Sequence, residues 1–454
     1  MKKLSILFIA VLAMLNLQAQ TISDAVRYTN DEIQGTARFR AMSGAFGALG
    51  GDMSAVSINP AGSAVFNSSH ASVSITSLNI SNDINYFGGL NSSSDSKFDV
   101  NQAGAAFVFN NYNEASPWKK FTLGIAYEKT ANFDNNWRAS GVNFNPETGT
   151  GNSISNYFLE YAQGLRLGEI SALPGETLGQ AYAEIGSFFG FAHQQAFLGY
   201  ESFILDPLQN TDDNTSYISN TGTGAFNQDY TYIARGYNGK FSFNAATQYG
   251  NNLFLGINVN THFINYERST LFDETNNNSD ASVSQIRFDN GLFTTGSGLS
   301  FQLGAIAKLN RTIRLGLTYN SPTWYRINEE TTQFLSATRE DNGSLVTQFI
   351  DPDIINIFPE YRFKTPGKVT GSLALVFADK GLISFDYSRK DYSNTEFRPT
   401  SDSYFSSLNS IISDILTVAN SYRIGGEYRY KQFSFRGGYR LDESPLKIMS
   451  FMEI

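Results

Sequence analysis

The sequence predicts an all-β protein: a transmembrane antiparallel β-barrel with an N-terminal plug and helical extracellular loop insertions. Three observations support this prediction. An export signal opens the chain, segments of about ten alternating residues recur after it, and a stretch rich in Gly and Ala lies between the two.

The N-terminus has the composition of a secretory signal peptide. Met1-Lys2-Lys3 is followed by an apolar run from Leu4 to Leu17 and then by Gln18-Ala19. A basic start, a short apolar core and a small residue before the cleavage site define such signals. We therefore expect residues 1–19 to be removed. The apolar run is too short to span a membrane as a helix.

Composition narrows the class of protein further. The chain has 24 Tyr, 37 Phe and 39 Gly but no Cys, which suits an exported β-protein without disulfides. Its formal net charge of -9 argues against a nucleic acid partner. With three His and no Cys, little material remains for a metal site, and we expect no cofactor.

From about His70 onward, large apolar residues alternate with small or polar ones. In Phe121–Glu128 and Phe241–Tyr249 every second residue is large and apolar, which is the signature of a strand. We expect the apolar face to contact lipid and the polar face to line the lumen. A secreted β-sandwich or solenoid remains the alternative. The same pattern recurs in 253–259, 301–309, 313–319, 373–377, 383–387, 422–430 and 433–439.

The stretch Gly44–Phe66 reads as a compact plug, within a plug segment that we assign to residues 20–66. Its glycines favour turns and close backbone contact. Pro60 lacks an N–H and disfavours helix at Asn59, so Asn59-Pro60-Ala61-Gly62 predicts a tight turn inside the barrel. That turn either gates the passage of a ligand or only fills space.

Two regions interrupt the strand pattern of the barrel, residues 67–454. Residues 134–227 show helical spacing, with Ile154, Tyr157, Phe158, Tyr161 and Leu165 on one face and Leu178, Tyr182, Ile185 and Phe189 on another. Long connections lie outside the cell in bacterial barrels, so we expect a cap over the barrel mouth. Residues 403–419 predict a helix on the rim, capped by Asp402 or Ser403. Each region either packs as structure alone or helps to bind a ligand.

With these elements in place, the sequence resembles the FadL-type outer-membrane transporters, which take up long-chain fatty acids and, in some members, aromatic hydrocarbons. The resemblance rests on Arg38-Phe39-Arg40-Ala41-Met42, on residues 55–62 with their Asn-Pro-Ala motif, on Thr365-Pro366-Gly367-Lys368-Val369, and on Arg436-Gly437-Gly438-Tyr439 followed by Ser444-Pro445. It implies a hatch at Asn59-Pro60-Ala61-Gly62, about fourteen strands, and sideways release of ligand through the wall.

One departure concerns the C-terminus. A barrel of this family continues past Ser444-Pro445 to a last strand with a terminal aromatic residue, whereas this chain stops at Ile454. About twelve or thirteen strand-like segments are countable, and single-chain bacterial barrels have an even number. Two explanations stay open: one or more C-terminal strands are missing, or the count is off by one or two.

The clearest polar cluster lies on two neighbouring C-terminal strands. Arg423, Glu427 and Arg429 share one face, as do Arg436 and Arg440. Arg on the lipid face costs about 2–4 kcal/mol near the midplane, so these side chains should face the lumen. They form either an ion-pair ladder, which stiffens the wall or holds the plug through Asp52, or an anchor for a carboxylate ligand. No catalytic motif is present, and His262 is expected to hydrogen-bond inside the lumen.

We therefore expect a monomeric channel, not an enzyme, in the outer membrane of a Gram-negative bacterium, surrounded by outer-membrane lipid. Its partner would be a hydrophobic, fatty-acid-like small molecule that crosses passively and selectively. The alternatives are a porin for polar solutes and a structural or adhesive barrel. A spatially assembled lipase or protease site is a further, weaker alternative.

Overall fold

The computed structural model describes residues 22–30, 32–144 and 152–447. The predicted signal peptide lies outside these residues, as does the end of the chain after Lys447. Among the described helices, none combines the length and the apolar character needed to cross a bilayer.

In the residues that the structure describes, seventeen strand pieces form one antiparallel sheet, and two further short strands form a separate sheet. Some of these pieces are two parts of one strand separated by a break, so the number of pieces exceeds the number of strands that cross the membrane. The strands are β1 (His70–Tyr86), β2 (Gly89–Asn110), β3 (Trp118–Asn132), β4 (Asn135–Phe144), β5 (Leu205–Pro207), β6 (Tyr217–Ser219), β7 (Ala225–Tyr249), β8 (Leu253–Thr275), β9 (Val283–Lys308), β10 (Ile313–Asn320), β11 (Trp324–Asp341), β12 (Ser344–Ile350), β13 (Asn356–Ile357), β14 (Tyr361–Lys364), β15 (Lys368–Phe377), β16 (Gly381–Asp391), β17 (Glu396–Arg398), β18 (Val418–Tyr430) and β19 (Phe433–Asp442).

Neighbours along the chain are neighbours in the wall. β1, β2 and β3 pair in order, β3 pairs with β7, and β7, β8 and β9 follow. β9 pairs with β10 and, further along, with β11, which shows that these two pieces continue one line. β10 then pairs with β15, and β16, β18 and β19 complete the sheet.

The sheet curls around the N-terminal segment. Arg40 of that segment bonds Thr76 of β1, and the backbone of Met42 and Ser43 lies directly against Gly438 of β19. The two edge strands thus approach the same few residues from opposite sides. Within the described residues, no backbone ladder pairs β1 with β19, and the plug segment contacts both strands.

The two faces of the wall follow the predicted alternation. On β3, Leu123 and Ile125 point outward and are each 44% exposed, whereas Thr122 points inward and is fully buried. The inward side chains of the neighbouring strands are polar and buried too, including Asn244, Asn258 and Gln302. A continuous outward band of Phe, Leu, Ile and Val is rare on a soluble monomer and suits contact with lipid. The outer face and the polar interior together define a membrane-spanning barrel.

The described part of the N-terminal segment, residues 22–30 and 32–66, contains two short α-helices and two 3₁₀ helices. The α-helices are α1 (Ile22–Arg27) and α2 (Ala37–Ala41), and the 3₁₀ helices are Met53–Ser57 and Pro60–Val65. Thr36 caps α2 by accepting from the Phe39 N–H, which satisfies a donor that the helix leaves unpaired. The expected turn at Asn59-Pro60 is present as the start of the second 3₁₀ helix.

The predicted helical insertions are confirmed, with one correction. α3 (Ser155–Ala162), α4 (Leu178–Phe189) and α5 (Phe191–Glu201) form a cap, and α6 (Ser403–Ile415) lies at the rim. Asp402 begins α6 by accepting from the N–H groups of Tyr404 and Phe405. The expectation that the strand pattern is interrupted over 134–227 was wrong at both ends, because β4 continues the line of β3 after a break and pairs with β7, which begins at Ala225. Polar Asn135, Asn136 and Asn143 mask the alternation in β4.

Candidate functional site

Asn59 joins the plug to itself and to the wall. Its Nδ2 donates to the Gly47 carbonyl at 2.7 Å and to the Ala305 carbonyl on β9 at 3.0 Å. Its Oδ1 accepts from the Ala61 N–H at 3.1 Å, which caps the 3₁₀ helix. The side chain is fully buried, so each of these bonds replaces one that water would have made.

Pro60, Ala61 and Gly62 fill the space beside Asn59 and are buried. Asn244 on β7 donates to the Pro60 carbonyl at 3.0 Å. Gly304 on β9 faces this turn, and a Cβ added there would lie 2.0 Å from Asn59 Oδ1. Only glycine therefore lets the wall approach the Asn-Pro turn this closely.

Of the predicted polar residues, Glu427 contacts the plug, whereas Asp52, the plug contact named in one of the alternatives, bonds within the plug itself. Asp52 bonds the Thr36 hydroxyl and the Ser54 N–H within the plug. Glu427 is instead the point of attachment: Arg38 of the plug donates to its Oε2 at 2.9 Å. Arg429 and Arg436 donate to the same carboxylate from the wall at 2.6 and 2.8 Å.

Arg423 and Arg440 lie further up the same two strands, directly opposite each other in the ladder. Arg440 pairs with Asp442. Arg423 is buried and belongs to the lining of a polar cavity. The five predicted polar residues therefore face the lumen side, but they do not form one cluster around one partner.

The polar cavity lies between the plug and the wall and has a volume of about 100 Å³. His262 and Ser300, 2.8 Å apart, belong to its wall, as the hydrogen-bonding role predicted for His262 requires. Lys240 pairs with Glu128 at 3.1 Å, and Lys390 donates to the Thr29 carbonyl of the plug. Its charged lining carries more basic than acidic groups: Lys240, Lys368, Lys390 and Arg423 against Glu32 and Glu128.

An aromatic cluster occupies the lumen between the cap and this cavity. Residues of α1, near the N-terminus, and of α6, near the C-terminus, both contribute to it. Tyr28 packs edge-on against Phe133 and Phe363. Complete burial raises the pKa of Tyr28 well above its usual value, so the hydroxyl stays neutral. The remaining buried rings are Tyr266, Tyr325, Tyr361, Phe397 and Phe405.

Neutral side chains of two cap helices hydrogen-bond to the wall. Tyr182 of α4 and Gln195 of α5 both donate to Gln333 Oε1 on β11 at 2.8 Å. Burial raises the pKa of Tyr182, so this phenol too remains a neutral donor. An apolar core built on Phe158, Phe197 and Phe288 lies around this network. The mouth above the aromatic cluster is therefore covered.

A second cavity opens beside the break between β3 and β4. Phe133 and Asp134 form the break, and they bond Gly236, whose φ of +116° marks an irregular point in β7. The cavity, about 310 Å³ in volume, lies beside this break. We call it the side cavity, and its lining includes Arg27, Leu78, Ile80, Phe133, Tyr232 and Tyr266.

The sequence-based search missed the lysines of the polar cavity and the side cavity itself. Lys240 occupies an inward position of an alternating strand, so the reasoning applied to the arginines would have found it. Thr365, Pro366 and Lys368 were noted only for their resemblance, yet all three line the polar cavity. No sequence signal marks the break at Phe133-Asp134, because it depends on how two strands part.

No protein-family model matches the sequence, and no curated protein matches it. Among solved structures, the chain is similar to the toluene transporter TodX of Pseudomonas putida, with a TM-score of 0.46, 14% identity, and coverage of 92% of this chain and 86% of that one. It is also similar to a FadL homologue of Pseudomonas aeruginosa (TM-score 0.44, 11% identity, coverage 92% and 82%).

The CymD monoaromatic hydrocarbon channel is a third similar structure, with a TM-score of 0.42, 12% identity, and coverage of 91% and 85%. These values state what the chain resembles. The fold described above rests on the chain's own strand pairing and on the character of its two faces.

Proposed function

We propose that this protein is an outer-membrane channel for the passive, selective uptake of hydrophobic compounds such as long-chain fatty acids. It works in a Gram-negative outer membrane without covalent chemistry or a cofactor. The ligand enters beside the cap, occupies the aromatic region, and leaves when the plug around Asn59-Pro60 rearranges. Release is sideways, through the wall at the break between β3 and β4.

One observation carries the proposal: a plug hydrogen-bonded to the wall lies beneath a buried aromatic cluster. An open aqueous pore has no need of either feature. Aromatic side chains offer large apolar surfaces at which a hydrocarbon chain is favourably buried. The plug would keep the lumen closed to water-soluble molecules while such a ligand crosses.

The polar cavity favours a refinement of the substrate class. A ligand with an apolar body and a small anionic head would place the body among the rings and the head beside Lys240, Lys368 or Lys390. The same cavity is the observation that favours the second candidate, a porin for polar solutes. A purely polar solute would use the cavity but would gain nothing from the aromatic cluster.

Uptake by lipid vesicles that contain the purified protein separates these candidates. We expect a long-chain fatty acid to enter faster than into protein-free vesicles, while a sugar enters at the background rate. Sugar entry alone would support the porin. Entry of neither solute would favour a structural or adhesive barrel.

A further inference from the structure

The wall contains a seam at which side chains, and not backbone bonds, join adjacent strands. β2 pairs with β3 from Gln102–Glu128 to Asn110–Lys120. Beyond this point β2 pairs with β1 alone, and β4 pairs with β7 alone. In the described part of the wall, no ladder connects β2 with β4, so this stretch lacks the backbone hydrogen bonds that join β2 to β3 and β4 to β7.

Side chains cross the seam in place of the ladder: Asn91 and Ser93 of β2 hydrogen-bond to β4, and two ion pairs lie nearer the break. Lys97 of β2 pairs with Asp134 in the break, and Asp99 of β2 pairs with Lys129 of β3. β2 contributes the lysine to one pair and the aspartate to the other, so each side of the seam carries one positive and one negative group. The Lys129 side chain is only 6% exposed, and its Nζ also lies 4.4 Å from the centre of the Tyr237 ring.

The seam lies between the side cavity, which is partly apolar, and the outer surface of the wall. The side cavity, with Leu78, Ile80 and Tyr232 in its lining, lies beside the break that Asp134 belongs to. On the outside, Phe98 stands between Lys97 and Asp99 and is 82% exposed. Lys129 lies level with Phe263 of β8 across the sheet, through Gly239 of β7. Beyond Phe263, the outward residues of β8 are polar, Asn265 and Glu267, so the outer border of the apolar band lies near the seam.

We propose that Lys97–Asp134 and Lys129–Asp99 form a latch that keeps a doorway between the side cavity and the membrane closed. This inference rests on the proposed function for its purpose, since it assigns the step of sideways release to named residues. Opening the doorway requires side-chain contacts to separate, namely these two ion pairs and the adjoining hydrogen bonds from Asn82 and Ser93 to the start of β4, while the backbone ladders of the barrel stay intact. Breaking a ladder in lipid would instead expose unpaired N–H and C=O groups.

The test uses the absence of native cysteine. In the full chain reconstituted into lipid vesicles, Ile80→Cys is labelled by a maleimide dissolved in the bilayer. Adding Asp99→Asn and Asp134→Asn should raise the labelling rate about tenfold, which corresponds to the loss of roughly 1.4 kcal/mol of latch strength. The matched control is Asp229→Asn, which removes an ion pair with Arg138 where a ladder already joins the strands. It should leave the rate unchanged.

A charge exchange separates a latch from a general loosening of the wall. Lys97→Asp alone should speed labelling, and adding Asp134→Lys should slow it again. The latch is contradicted if the labelling rate stays the same in all these variants, or if Asp229→Asn raises it equally. Fatty acid uptake is measured in parallel: if labelling is gated while wild-type vesicles take up nothing, the latch stands and the proposed function fails.

Discussion

At the scale of single residues, a few side chains connect the plug to the barrel. Asn59 bonds two carbonyls and one N–H, and Asp386 of β16 accepts from the Gly47 N–H at 3.0 Å. Glu427 receives Arg38 from the plug and two arginines from the wall. Removing one partner of such a buried group leaves the others unpaired, which costs about 1–3 kcal/mol.

Asn59→Ala tests whether the Asn-Pro turn gates passage or only fills space. The substitution loses the bonds to Gly47 and Ala305, so we expect a lower midpoint of unfolding and faster fatty acid uptake at equal amounts of folded protein. Pro60→Ala should also change uptake, since Pro60 presets the turn. Asn79→Ala, at an exposed position of β1, is the control. Altered stability with unchanged uptake in both plug variants would mean that the turn only fills space.

At the scale of strands and helices, alternation decides which face meets lipid. A strand places successive side chains on opposite faces, so a shift of one residue would turn the whole apolar set inward. β3 shows the consequence: Leu123 and Ile125 are exposed, while Ala126 packs near Met53 of the plug. The same register places Lys120 inside, where its Nζ donates to the Ala64 carbonyl at 3.1 Å.

Cysteine substitution along β3 tests this register directly. Leu123→Cys and Ile125→Cys should react with lipid-soluble thiol reagents, because both positions face the membrane. Gly124→Cys and Ala126→Cys should react only with reagents that enter the lumen. The opposite pattern of reactivity would show that the two faces are inverted.

The strands and helices could be predicted from sequence because their signals are local. Period-two alternation located the wall, helical spacing located α3, α4 and α6, and Asn59-Pro60 located a turn. The partners of the polar residues could not be predicted. Glu427 bonds Arg38, which lies 389 positions away in the sequence. Asp52 bonds Thr36 within the plug. Side-chain pairing between distant segments depends on the curvature of the sheet, which alternation does not encode.

At the scale of the whole molecule, the lumen is divided into layers of different character. The capped mouth lies above an aromatic region, the polar cavity lies below it, and the plug closes the other end. The side cavity lies beside this stack, next to the break between β3 and β4. A hydrophobic ligand with a polar head would meet a matching environment at each layer, and the plug would be the part that must move.

A tether between plug and wall tests that claim most directly. Ser63 Oγ of the plug lies 2.5 Å from Asn244 Oδ1 of β7, so Ser63→Cys with Asn244→Cys allows the two to be joined by a short thiol-cleavable crosslinker. A tether within the wall, through Ser421→Cys and Asp442→Cys on paired strands, is the control. The account predicts that the plug tether stops fatty acid uptake into vesicles, that cleavage restores it, and that the wall tether has no effect. Uptake that continues unchanged with the plug tethered would contradict it.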